Sequence, residues 1–368
     1  MRASGKDHIM KNIFIFGYYG FNNIGDEAIL EAIVGQFRKQ MPQVTLTALS
    51  YKAAETAERY GIMAVSRNRF FEVFHSIKKA NLVMSGGGSI LQDVTSSRSL
   101  MYYLGIIFLA KVFGRKVAFY GNGFGPITRP LNRWLVRQMI NQVDLITVRD
   151  EESRQLMQAL GIQRPITVTA DAAFTLPVLQ GRGVSDENHE SRKVGISVRS
   201  WKNQSIYLPA VAACADLLAR SGYEVYFLPM QPPADTRISE EIMSQMTQKA
   251  AVIKVDETPS AMIRAISEMD FIIGMRLHAL IFAAIAGVPM VGLSYEAKIT
   301  SFLKLVQQPC AGEVETLDKD QLINTVLAFL KDQEQHKSNL MKQRDELCRK
   351  SAQNAALIQN FLIKEEPS

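Results

Sequence analysis

From Asn12 onward the chain alternates between two periods. Short runs of apolar, β-branched residues read as strands buried on both faces. The stretches between them carry apolar residues at helical spacing, the pattern of βα units around a parallel sheet. In the first half the strand candidates are Ile13 to Phe16, Val44 to Leu49, Leu82 to Ser85, Val117 to Tyr120, Leu145 to Val148 and Ile166 to Thr169. Between Gln180 and Arg192 the sequence turns polar and loses its period, and Lys193 opens a fresh strand, VGISVR. The second half repeats the alternation, with strands near Val194 to Val198, Glu224 to Leu228, Phe271 to Ile273 and Val288 to Gly292. After Pro309 the chain reads as helical, ending in a long charged segment from Glu334 to about Ile363.

This pattern predicts an α/β protein of two Rossmann-like domains. One spans 11–178, the other 193–340, with a linker over 179–192 and a C-terminal helix over 341–368 that is placed, by analogy with other two-domain Rossmann proteins, back across the domain junction. The polar residues before Met10 read as a tag remnant or leader and are left out of the fold. A length of 368 residues agrees with two cores.

Composition narrows the class. With 47% apolar and 21% charged residues the chain is ordinary globular protein rather than disordered or fibrous. A net charge of +6 from 42 basic and 36 acidic residues is too modest, and too evenly spread, to call for nucleic acid. It suits a phosphorylated small molecule, a lipid diphosphate at an anionic membrane surface, or merely a basic exterior. Cys214, Cys310 and Cys348 lack disulfide or zinc spacing, which fits a reduced, cytoplasmic setting without a bound metal. The most apolar stretch, Leu100 to Phe113, is too short to span a bilayer, contains Lys111, and reads as a buried helix.

Candidate chemistry gathers at strand exits, where ligands sit in open parallel sheets. The first exit, Gly17 to Glu27, places Asn22, Asn23, Gly25 and Asp26 before a helix. It lacks the GxGxxG spacing, and its acidic residues suit a sugar hydroxyl better than a pyrophosphate, unless Asp26 simply caps the helix. Two further glycine-rich exits, Ser85 to Asp93 with Gly87 and Gly88, and Gly121 to Pro126 with Asn122, allow close backbone approach or form ordinary turns. Arg149 ends a strand beside Asp150, facing either a ligand or a salt bridge.

The second half is sharper. Its first strand ends in Arg199, Ser200 and Trp201, delivering a planar cation suited to phosphate or carboxylate. Gly274 turns an apolar strand into an apolar helix that begins with Arg276, Leu277 and His278. Free amides, the helix dipole and Arg276 together would hold an anion there. A histidine at that end can carry protons near neutral pH, its cation favoured once an anion is bound; a buried histidine satisfied by backbone is the plainer alternative. One strand later, Ser294, Tyr295 and Lys298 follow Gly292 and offer a second cation. No Walker loop, HExxH or GxSxG elbow is present, which speaks against NTPase, zinc protease and hydrolase chemistry.

In order, the segments GYYGFNNIGDEA, SGGGSILQD, NGFGP, TVRDEES, ADAAF at Asp171, ISVRSW and GMRLHALIFAAIAGVPMVGLSYEAK resemble the polysaccharide pyruvyl transferase family, in particular the CsaB-type enzymes of Gram-positive cell-wall synthesis. The resemblance covers about Lys11 to Lys304. It implies a GT-B-like fold with two domains facing a cleft, and phosphoenolpyruvate as a substrate rather than any cofactor. The product it implies is a 4,6-linked pyruvate ketal on an N-acetylmannosamine residue of a lipid-diphosphate-linked disaccharide of the ManNAc-GlcNAc type, with phosphate released. With that donor, Arg276 is assigned to its carboxylate, Arg199 and Lys298 to its phosphate, and His278 to acid/base transfer, with Leu277, Ser294 and Tyr295 around them. Arg149, Asn22, Asn23, Gly25, Asp26, Gly87, Gly88, Asp93 and Asn122 are assigned to the acceptor side. Peripheral contact with the inner face of the membrane and a homo-oligomer are left open. A nucleotide-sugar glycosyltransferase on the same scaffold, with Glu296 as its ribose-binding candidate, and a noncatalytic sugar- or anion-binding module remain the alternatives.

Overall fold

The computed structural model describes residues 11–93, 96–177 and 191–363. The segment before Met10 and most of the expected linker lie outside the described residues. The chain divides into two compact units, one taking in 11–21, 29–175 and 350–363, the other 22–28, 176–177 and 191–349 of those residues.

In the first unit the strands are β1 (Asn12–Tyr19), β2 (Thr45–Ser50), β3 (Met63–Ser66), β4 (Leu82–Ser85), β5 (Lys116–Asn122), β6 (Leu145–Val148) and β7 (Ile166–Val168). Between them run α1 (Ile24–Gln40), α2 (Ala53–Tyr60), α3 (Phe70–Lys79), α4 (Ser97–Val112), α5 (Pro130–Ile140) and α6 (Glu151–Ala159). The sheet is ordered β3-β2-β1-β4-β5-β6-β7 and its pairings are parallel. Wholly buried strands such as Leu82–Ser85 form here because helices cover the sheet on both faces. On one face Val73 and Ile77 of α3, Leu100 and Ile107 of α4, and Val136 and Ile140 of α5 share a single cluster with strand residues including Phe14, Val83 and Val117.

The second unit repeats the plan with β8 (Arg192–Ser197), β9 (Tyr223–Phe227), β10 (Ala250–Val252), β11 (Phe271–Gly274), β12 (Met290–Ser294) and β13 (Cys310–Glu313) in the order β10-β9-β8-β11-β12-β13. Its helices are α7 (Gln204–Arg220), α8 (Ala234–Met243), α9 (Pro259–Ser267), α10 (Leu277–Ala286), α11 (Ala297–Leu305) and α12 (Lys319–Lys331), followed by the 31-residue α13 (Gln333–Ile363). Both strand orders reverse direction beside the first strand, where doubly wound sheets place their ligands.

Three strands escaped the sequence pattern: β3, β10 and β13. All are three or four residues long and lie at sheet edges, where half-exposed positions blur the apolar run. The region after Pro309 is therefore not purely helical. Residues 22–28, expected within 11–178, group with the second unit because the Ile24 amide donates to the Met230 carbonyl at 2.9 Å and Gly25 lies against His278.

The last turns of α13 belong to the first unit through one buried amide. Asn354 Oδ1 accepts from Thr147 Oγ1 at 2.6 Å and Thr169 Oγ1 at 2.8 Å, while its Nδ2 donates to the Ala170 carbonyl at 3.1 Å. No helix among the described residues is long and apolar enough to cross a membrane. Because Asn354 is fully buried, Asn354→Ala removes its bonds to two hydroxyls and a carbonyl and is expected to cost about 2–3 kcal/mol in urea denaturation; an unchanged midpoint would show that the bonds contribute nothing net.

Candidate active site

In the second unit, β8, β11 and β12 are neighbours, with Ser197 level with Gly274 and Gly274 level with Gly292. Parallel strands in register deliver their exits to one edge, so the three segments singled out from sequence emerge side by side. From β8 comes Arg199, half-buried, whose Nη1 donates to the Tyr295 hydroxyl at 3.1 Å. Its guanidinium lies 4.8 Å from the Tyr295 ring centroid and 5.2 Å from that of Trp201. Among the described residues no carboxylate pairs with it. The aromatic faces stabilise the cation without neutralising it, which leaves its charge for an incoming anion.

Lys298 stands 5.2 Å from the same Tyr295 ring, so both predicted phosphate ligands meet at one aromatic residue. Unlike Arg199 it is paired, with Glu296, and a bound anion would compete with that carboxylate. Ser294, fully buried at the end of β12, points its hydroxyl to the Glu296 carbonyl at 3.4 Å and serves the turn rather than a ligand. Trp201, whose Nε1 donates to Glu315 Oε1 at 3.1 Å, completes the cluster. Glu315 carried no signal in the sequence, lying in a short turn after an edge strand.

Arg276 changes role. It is the N-cap residue of α10 rather than part of its first turn, and its side chain makes no capping bond. Its Nε donates to Asp235 Oδ2 at 3.0 Å and its Nη2 to Asp235 Oδ1 and, at 3.2 Å, to Gln231 Oε1. The planar fork expected to receive a ligand carboxylate already holds a fully buried protein carboxylate. Asp235 also accepts from the Met230 and Gln231 amides at 3.1 and 2.9 Å, so it anchors Arg276 to the β9 exit. What stays available to an anion is Arg276 Nη1, at a helix start that no side chain caps. Asp235, in the segment Gln231-Pro-Pro-Ala-Asp235, was missed because its partner lies 41 residues away.

His278, half-buried in the first turn of α10, packs on the backbone at Gly25. A Cβ added to Gly25 would fall 2.2 Å from His278 Nδ1, so no other residue fits without moving the imidazole. Asn23 precedes α1 and accepts the Gly25 amide on Oδ1 at 3.1 Å, while Asn22 holds a left-handed conformation at φ 56°. Asp26 lies in the first turn of α1, where a carboxylate favours the helix dipole. Thus part of the predicted acceptor loop and the predicted proton carrier are brought together.

The other acceptor-side predictions form a network inside the first unit. Asn122 Nδ2 donates to Ser85 Oγ at 2.8 Å and the Gly87 carbonyl at 3.0 Å, clasping a loop in which Gly87 and Gly88 adopt φ of 80° and 69°. Arg149, buried, reaches Asp150 at 3.1 Å, Asp171 at 3.4 Å and Ser89 Oγ at 3.0 Å. Burial alone would lower its pKa, yet the two carboxylates raise it and keep it charged. Asp93 accepts from the Thr128 amide and hydroxyl, the Arg129 amide and Asn132 Nδ2 at 2.8–3.0 Å, ahead of α5. Asn122, Arg149 and Asp93 thus spend polar atoms on holding loops, as buried polar groups require.

The sequence profile of the polysaccharide pyruvyl transferase family matches residues 23–297, more than half of the chain. The chain belongs to the polysaccharide pyruvyl transferase family and is a transferase. Solved structures similar to it include the S. aureus MnaA–UDP co-structure, at 12% identity and TM-score 0.67, covering 98% of this chain and 99% of that one. UDP-GlcNAc 2-epimerase from Neisseria meningitidis bound to UDP-GlcNAc matches at 12% identity and TM-score 0.63, covering 97% and 100%. A glycosyltransferase from Rickettsia africae matches at 13% identity and TM-score 0.62, covering 97% and 98%. At such identities they establish the fold, two parallel-sheet α/β domains of the GT-B kind. No curated protein matches the chain significantly.

Two outcomes follow from this geometry. Asp235→Ala leaves a buried guanidinium unpaired and should destabilise by about 3–5 kcal/mol, whereas Asp235→Ala with Arg276→Met should recover much of that loss; equal losses in thermal unfolding would dismiss the pair as an anchor. Burial pushes the Asp93 carboxyl up, but the amides of Arg129 and Thr128 and the Asn132 and Thr128 side chains outweigh it and hold it below the usual carboxylate range. A depressed carboxyl stabilises above its unfolded pKa and loses that contribution as pH falls through its folded value. The stability gap between wild type and Asp93→Asn should therefore be full at neutral pH and close in acid below pH ~4; a pH-independent gap would contradict it.

Proposed function

We propose that the protein transfers pyruvate from phosphoenolpyruvate, as a 4,6-ketal, to an N-acetylmannosamine residue on a lipid-diphosphate-linked glycan precursor at the cytoplasmic side of the membrane. The observation that supports this most is the charge of Arg199, paired with no carboxylate among the described residues, beside Lys298 and the uncapped start of α10, in a member of a pyruvyl transferase family. Phosphoenolpyruvate carries two anionic groups, both attached to C2, and this edge offers two places for anions.

In this reading the phosphate lies on Arg199 and Lys298, and the carboxylate at the uncapped start of α10 with Arg276 Nη1. His278 protonates C3 of the enol as the first sugar hydroxyl adds to C2. The C2–O bond to phosphate then breaks, and the second hydroxyl adds to C2 to close the ketal. Two hydroxyl protons are released; one replaces the proton delivered to C3 and the other departs with the phosphate. Stabilising the leaving phosphate is the largest contribution and proton transfer is worth about 10²- to 10⁴-fold. Asn23 and Asp26 would orient the acceptor beside His278.

With phosphoenolpyruvate and a synthetic lipid-like mannosamine disaccharide, phosphate release should accompany a product heavier by one ketal-linked pyruvate. His278→Ala should lower kcat by about 10²-fold or more, and Arg199→Ala should chiefly raise the phosphoenolpyruvate KM. Near-normal transfer by His278→Ala would remove its role, and turnover of a nucleotide sugar in place of phosphoenolpyruvate would move the protein to glycosyl transfer.

A further inference from the structure

Helices α3, α4 and α5 lie side by side on one face of the first unit's sheet. Their inner residues are core, but their outer faces are not those of ordinary surface helices. On α4, Met101, Phe108 and Val112 form an outward stripe with exposures of 43%, 53% and 60%. Gly105, between them on the same stripe, has no neighbouring atom within 4 Å of where a Cβ would stand. An α-helix apolar on every side belongs in a protein core or in contact with lipid, and only the inner side of α4 is covered.

The flanking helices extend the patch. Phe70 and Phe71 stand at the start of α3, Phe71 at 84% exposure, and Leu131 and Trp134 project from α5 at 66% and 58%. Scattered exposed apolar residues are normal, but large ones gathered on three adjacent helices mark an interaction surface. The charges on these helices are almost all of one sign. Lys78, Lys79, Arg98, Arg133 and Arg137 are exposed, whereas Glu72 is the one carboxylate in the three helices.

We propose that the outer face of α3–α5 docks on an anionic lipid bilayer, the phenylalanines, Met101, Leu131 and Trp134 entering the headgroup boundary while the lysines and arginines meet lipid phosphates. Apolar area combined with basic charge is what interfacial binding requires, and an indole suits that depth. A second copy of this chain fits less well, because a two-fold contact would set the same basic groups against each other. This face accords with the lipid-linked acceptor proposed above but rests on its own residues.

Co-sedimentation of the full chain with vesicles tests it. The protein should pellet with phosphatidylcholine–phosphatidylglycerol vesicles, less with phosphatidylcholine alone, and less as salt rises. The triple variant Phe71→Ser, Phe108→Ser, Trp134→Ser should partition about tenfold more weakly with an unchanged unfolding midpoint, and Lys78→Gln, Lys79→Gln, Arg98→Gln should remove most of the dependence on phosphatidylglycerol. A wild-type chain that stays in the supernatant, variants that bind as well as wild type, or a dimer that Phe108→Asp splits without any vesicle binding would each overturn the proposal. Vesicle binding without pyruvyl transfer would sustain this face while ending the catalytic reading; transfer to a water-soluble acceptor without vesicle binding would do the reverse.

Discussion

A parallel sheet sends every strand exit to one edge, and the polar groups crowded there must be satisfied by the protein or by a ligand. The two units meet this constraint differently. In the first, Asn122, Arg149, Asp93 and Asn354 each bond to the surrounding loops and strand ends. In the second, the edge is left partly unsatisfied: among the described residues Arg199 has aromatic rings but no carboxylate, and no side chain caps α10. An unneutralised cation beside a helix start that no side chain caps is stable because water or an anion can reach it.

Within the second unit, the Asp235–Arg276 pair ties the start of α10 to the β9 exit. By occupying Arg276 with a buried carboxylate it fixes the start of α10, and so the direction of its amides and of His278. A free arginine at that position would deliver more charge to an anion but would hold the helix end less firmly. Lys298 sits between the two cases, its charge partly answered by Glu296 and so tunable by whether an anion displaces that carboxylate.

Central strands were legible in the sequence because burial on both faces leaves uninterrupted apolar runs, whereas β3, β10 and β13, at sheet edges, lack that signature. The strand exits were legible for the same reason: glycine, arginine and histidine directly after an apolar run are conspicuous. Their roles were less so. Nothing local in Thr-Val-Arg149-Asp150 separates a ligand-facing arginine from one clamped by Asp171, and nothing near Gly274 announces Asp235. Whether a polar side chain has a partner depends on contacts across tens of residues, which a one-dimensional pattern does not contain.

The glycines illustrate the same limit in another way. Gly87 and Gly88 are required by backbone conformation, since both hold positive φ, and a run of three glycines signals that need by itself. Gly25 is required by its neighbour. Its φ is not among the positive ones, and what excludes a side chain is the His278 ring at 2.2 Å from the missing Cβ. The constraint therefore runs from the imidazole to the loop: whatever holds His278 in place also dictates the residue at 25 and, through it, where Asn23 and Asp26 begin α1. A loop and a helix start 253 positions apart in the chain, taken from residue 25 to residue 278, thus form one unit of geometry, and a substitution in either is felt in the other by steric contact before any charge is changed.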